Sequence, residues 1–231
     1  EDDPDQLVTA ACDRLAGLEA GARLPALAGD VGRHRVHSAM PPEHYVEAVR
    51  RAVDRIAGGA FEKIVLARAV DVAAPTAYDP AAILGVLREG FPECHLTVAA
   101  RGGAAFVAAS PELLIRREGM RASPLALAGS ARRSADPAVD AHLGERLLRS
   151  DKDRAEHEVV VRRIVRALEP AAVWVTAAPE PGLARIANIQ HLATPIRAQL
   201  QRPVGALELA GLLHPTPAVG GEPRDRALPV I

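Results

Sequence analysis

LHPTPAVGGEPRDRALPVI, residues 213–231, is the stretch on which the reading of this chain turns. Pro215 and Pro217 fix backbone dihedrals in a loop, and the Gly220-Gly221 pair after them tolerates conformations other residues avoid. RDRALPVI then reads as the opening of a helix, and VGALELAGLLHPT (204–216) as a helix running into the loop. Such a loop is expected to have structure on both sides, so the chain is expected to be truncated after Ile231. The acidic start EDDPDQ, which lacks an initiator Met, suggests the same of the other end.

Composition narrows the classes. The chain has 231 residues, 48% hydrophobic and 25% charged, ample for one buried core. A formal net charge of -1 gives no field that attracts nucleic acid or an acidic membrane, and 3% aromatic content argues against base stacking. No apolar run approaches the roughly 20 residues of a spanning helix. Cys12 and Cys94 form no CxxC motif, which fits a reducing, cytoplasmic setting. Arginines abound, yet the only lysines are Lys63 and Lys152. Arg is protonated at every working pH, whereas a partly buried Lys can lose its proton. Two lysines in such a chain mark positions where Arg would fail, or they remain by chance.

Periodicity predicts helices over 6–20, 41–59, 78–92, 136–150, 151–170 and 204–216. The second starts at Pro41-Pro42, stops at Gly58-Gly59, and carries Tyr45, Val46, Val49, Val53 and Ile56 as its apolar stripe. Strands are expected over 62–72, 172–179 and 184–200. Hairpins are expected over 94–110, turning at RGG, and over 112–122, turning at Glu118-Gly119. There are no repeats, no low-complexity linker and no domain break. The elements imply a mixed α+β chain with much antiparallel sheet.

Polar residues in apolar settings give the candidate chemistry. Lys63 opens an apolar strand, where its ammonium either snorkels or projects into a cleft. Glu112 in ASPELLI is either a strand-start residue or a desolvated acid with a raised pKa. DKDRAEHEVVVRR (151–163) places Asp151, Asp153, Glu156 and Glu158 in the first turns of a helix. The macrodipole explains acids there; so does a hard-cation site, since Mg²⁺ takes a few carboxylate oxygens with water and substrate. His157 has no second His or Cys at zinc-ligand spacing. PLALAGSARR (124–133) reads as a Gly-Ser turn after a strand, suited to holding a carboxylate, and it is not a P-loop. His191 is a structural imidazole or a hydrogen-bond donor to substrate.

Taken in order, KIVLARAV (63–70), ASPELLIRREG (109–119), PLALAGSARR, DKDRAEHEVVVRRIV (151–165), HLATPIRAQL (191–200) and LHPTPAVGGEP (213–223) resemble the successive signatures of the chorismate-utilising enzymes. The likeness is strongest over 42–231, and 1–231 is expected to form a single, partial chorismate-binding domain: an α+β fold of largely antiparallel sheets packed with helices, incomplete at its C-terminus. LAGSARR and HPTPAVGG look most like isochorismate synthases. Anthranilate and aminodeoxychorismate synthases typically carry Thr where this chain has Ala218.

The resemblance implies conversion of chorismate to isochorismate, with water added at C2 and the C4 hydroxyl lost. It assigns Lys63 as the water-activating base, Glu112 as the general acid and Glu156 as a Mg²⁺ ligand. It places Gly129, Ser130, His191, Ala218 and Val219 at the substrate, and implies no obligate protein partner. Family members continue further, to a final helix that supplies another metal carboxylate. The alternatives are a salicylate synthase, an ammonia-using synthase with a glutaminase partner, and a non-catalytic fragment.

Overall fold

The computed structural model describes residues 6, 8–10, 12–13, 24–26 and 33–231. Of the helix expected over 6–20, residues 6, 8–10, 12 and 13 are helical, and the remainder lies outside the described residues.

Helix starts follow the sequence closely. Helix α1 (Pro42–Ala57) begins with proline in its first turn and gives way to Gly58. Helices α2 (Pro80–Gly90) and α3 (Pro137–Arg149) share an Asp-Pro start. Asp79 accepts from the Ala81 N–H at 2.9 Å, and Asp136 from Ala138 at 2.8 Å. Each carboxylate satisfies an orphan amide while the proline presets φ. Helix α4 (Asp151–Leu168) is capped by Ser150, whose hydroxyl accepts from the Asp153 N–H at 3.3 Å.

Every strand pairing among the described residues is antiparallel. Small ladders join β1 (Arg35–Ser38) to β3 (Val70–Ala73), β2 (Lys63–Ile64) to β12 (Gly221–Glu222), and β4 (His95–Arg101) to β5 (Ala104–Ser110). In the main sheet the axis is β11 (Ile189–Leu200). Its first half pairs with β10 (Gly182–Arg185) and β8 (Leu125–Arg132); its second half pairs with β9 (Ala172–Ala177) and β7 (Arg121–Ser123), outside which lies β6 (Arg116–Glu118). Helices α4 and α5 (Ala206–Leu213) cover one face. Val160, Ile164, Leu168, Leu209 and Leu213 there meet Ala126, Ile196, Ala198 and Leu200 of the sheet. Fully burying a Leu or Ile contributes about 1.5–3 kcal/mol, so this layer is the main source of stability. No helix among the described residues is long and apolar enough to cross a membrane.

Three expectations change in detail. The single strand over 62–72 is two strands with different partners, because Lys63–Ile64 is held by β12 and Val70–Ala73 by β1. The Gly129-Ser130 pair of PLALAGSARR lies inside β8 rather than at a turn. Gly129, at φ +74°, takes up an extra residue at a bulge where His191 faces Ser130 and Leu192 faces Ala128. The run 184–200 is interrupted after Arg185, where the chain folds back from β10 into β11.

The stretch 213–223 thus threads back to Lys63. Gly221 is required at the ladder: a Cβ there would lie 2.5 Å from both the Ala227 Cβ and the Lys63 carbonyl oxygen. Gly221→Ala is expected to destabilise the fold by about 1–3 kcal/mol, the usual effect of overpacking. A wild-type midpoint in urea unfolding would refute that close fit.

Candidate active site

Lys63 is held from two directions. Its Nζ donates to the Pro217 carbonyl oxygen at 2.6 Å and faces Glu156 Oε1 at 3.2 Å. The lysine side chain is 10% exposed and that of Glu156 35%. A cation this buried requires paired acceptors, and these two supply them. The ladder fixes the backbone on either side, with the Glu62 N–H donating to the Glu222 carbonyl and the Val65 N–H to the Gly220 carbonyl, both at 2.7 Å. Pro217 is fully buried, and the buried Thr216 braces the loop by accepting at its carbonyl from the Val219 and Gly220 N–H groups at 3.1 and 3.0 Å.

Glu112 lies half-buried between β5 and β6, its N–H donating to Ser110 Oγ at 3.3 Å. Burial pushes its carboxyl above the usual range, and the Lys63 charge offsets part of that rise. The two residues proposed as acid and base therefore sense one another.

Ser130 and His191 form a second pair, directly opposite across β8 and β11, with Ser130 Oγ and His191 Nδ1 at 2.8 Å. Burial holds the imidazole below its usual range, and a hydrogen bond with the Gly129 backbone partly offsets this. His191 is thus neutral near pH 7, able to donate from one nitrogen and accept at the other. Gly129 ties this pair to α4: a Cβ there would approach the Asp153 Cβ to 3.1 Å at a φ that disfavours side chains. Asp153 accepts from the Ser150 hydroxyl at 2.5 Å and, three positions before Glu156, shares its side of the helix. Ser130, Arg132, Arg146, Ser150 and Asp153 line a hollow of about 290 Å³.

The structure brings Lys63 and Glu156 into contact, with Glu112 electrostatically coupled to Lys63, and it joins Ser130 to His191. Ala218 is half-buried against the core, and Val219 is 54% exposed. His157, beside Glu156 in sequence, turns into the core and shares a 2.7 Å hydrogen bond with Thr194 Oγ1. The sequence reading missed the Pro217 carbonyl, which no side chain announces, and Asp153 as the residue beneath Gly129. A helix-start acid three positions after Ser150 was the available sign of the latter.

The sequence profile described as "chorismate binding enzyme" matches residues 1–231. The chain belongs to the chorismate-binding enzyme family. It is 41% identical over 230 residues to the salicylate biosynthesis isochorismate synthase of Pseudomonas aeruginosa, covering 98% of this chain and 48% of that protein. It is 38% identical over 188 residues to isochorismate synthase EntC of Escherichia coli K12, covering 81% and 48%. Among solved structures, the menaquinone-specific isochorismate synthase MenF of Escherichia coli superposes with a TM-score of 0.79 at 30% identity, covering 94% of this chain and 50% of that one. The chain therefore spans about half the length of these relatives.

Proposed function

We propose that the protein is an isochorismate synthase of the chorismate-binding family, with residues 1–231 as one partial domain supplying its base and acid. The observation that carries this reading is Lys63 clamped between Glu156 and the Pro217 carbonyl, with Glu112 near it, its carboxyl pushed above the usual range by burial. Resemblance to isochorismate synthases along the matched region supports the substrate and product.

The chemistry balances with these groups. Lys63 is assigned the proton that leaves water as its oxygen bonds to C2 of chorismate. The ring double bonds shift, the C4–O bond breaks, and Glu112 gives its proton to the departing hydroxyl. One water enters and one leaves, so the net reaction is an isomerisation. Ser130 and His191 offer neutral hydrogen bonds to substrate oxygens beside the tightly turned backbone at Gly129, and Ala218 and Val219 form part of the substrate wall. The reaction needs water rather than ammonia, so no glutaminase or other obligate protein partner is implied. The two free cysteines fit a cytoplasmic setting.

Mg²⁺ retains several waters and takes one or two carboxylates with substrate oxygens. Among the described residues no three His, Cys, Asp or Glu side chains gather as a metal site, and Glu156 faces an ammonium. These residues alone do not make a Mg²⁺ shell. Glu156 is proposed as one of its carboxylates, and the bound ion would neutralise substrate charge.

With the full-length protein and Mg²⁺, chorismate is expected to yield isochorismate with no pyruvate, as read by chromatography of the products. Stoichiometric pyruvate would replace this reading with a salicylate-forming lyase, and unchanged chorismate would refute it.

A further inference from the structure

The β2–β12 ribbon is gripped by α4 at three points. Lys63 meets Glu156 at 3.2 Å, Arg163 Nε meets Glu222 Oε2 at 3.6 Å, and Arg162 meets Glu62. Glu156 and Arg163 are seven positions apart, two helical turns, and so occupy one flank of α4. Lys63 and Glu222 are direct partners across the ladder. The contacts are therefore reciprocal: a helix acid holds a ribbon base, and a helix base holds the ribbon acid opposite it.

The two tethers differ in shielding. Arg163 and Glu222 side chains are 24% and 15% exposed, whereas Glu156 is 35% exposed and is assigned a further task in the reaction. Glu222 Oε2 is buried without a hydrogen bond, so the Arg163 charge is what compensates it. Among the described residues, neither side chain makes a hydrogen bond or ion pair with Lys63 Nζ, Glu112 or the Ser130–His191 pair.

We propose that Arg163 and Glu222 form a positioning pair that holds the ribbon, and hence Lys63, at its working distance from α4. The pair sets where the lysine stands and takes no part in bond making. The kinetic arm of its test rests on the isochorismate synthase reading; the labelling arm does not.

The test uses the full-length protein with Glu222→Gln, Arg163→Met and the reciprocal double change Glu222→Arg with Arg163→Glu. Reductive methylation with ¹³C-formaldehyde, read by peptide mapping, compares the shielded Lys63 with the exposed Lys152 as internal control. Each single variant is expected to speed Lys63 labelling about tenfold with Lys152 unchanged. Each is expected to lower kcat for chorismate about tenfold to a hundredfold with KM within about twofold, as displacement of a reacting group by about 1 Å does. The reciprocal variant is expected to recover most of both. Unchanged Lys63 labelling in Glu222→Gln overturns the proposal, and so does a kcat loss that the reciprocal variant leaves in place. A wild type that leaves chorismate unchanged refutes the functional reading, and the labelling then decides the pair by itself.

Discussion

Lys63→Arg is expected to lower kcat by about a hundredfold to ten-thousandfold, the usual worth of a positioned general base, with the fold retained. Arginine keeps a positive charge against Glu156 and can still donate to the Pro217 carbonyl, so the contacts that stabilise the ribbon survive. What it cannot do is release a proton to become a base. Turnover measured with circular dichroism separates the two effects. Near-normal kcat in a folded variant would remove Lys63 from the reaction.

Glu112→Gln is expected to lower kcat by a similar factor at pH values below the raised pKa of Glu112, because the amide matches the protonated acid in shape but has no acidic proton to give. The wild type should lose activity as pH rises through the raised pKa of Glu112, since only the protonated form serves as acid. The stability effect has the same sign. A carboxyl whose pKa is higher in the folded state than in the unfolded chain contributes stability fully below its unfolded value, about 4.3. That contribution is lost as pH rises through the folded value. Glu112→Gln should abolish this part of the pH dependence in denaturant unfolding. A variant that keeps wild-type kcat, or the wild-type alkaline limb, would show that another group gives the proton.

How much of this was legible depended on whether the signal was local. Helix starts fall within two residues of those expected, because each is decided locally, as the structure's caps at Asp79, Asp136 and Ser150 show. The run EKIVLARAVDV was misread as one strand because its apolar pattern is continuous, while its two ends are claimed by partners at 35–38 and 221–222. No local pattern encodes that division. Gly129-Ser130 looked like a turn because glycine commonly marks one; here the same freedom absorbs a bulge inside a strand. Among the site residues, Lys63 stood out by rarity and Glu156 by its helix turn, and the family likeness gave both a role. The Lys63–Pro217 contact was invisible because its acceptor is a backbone carbonyl, which every residue has.

That contact also governs when the site comes into being. Lys63 and Pro217 are 154 positions apart, so a nascent chain holds the lysine long before its acceptor has been made. Bringing such distant segments together loses chain entropy before any contact rewards it, which places this closure late in folding. The hairpin of β4 and β5 needs only its own residues, whereas the lysine's ladder waits for Gly221 and Glu222. Synthesis order therefore acts as a timer, and Lys63 acquires its setting only once Pro217, Gly221 and Glu222 have been made.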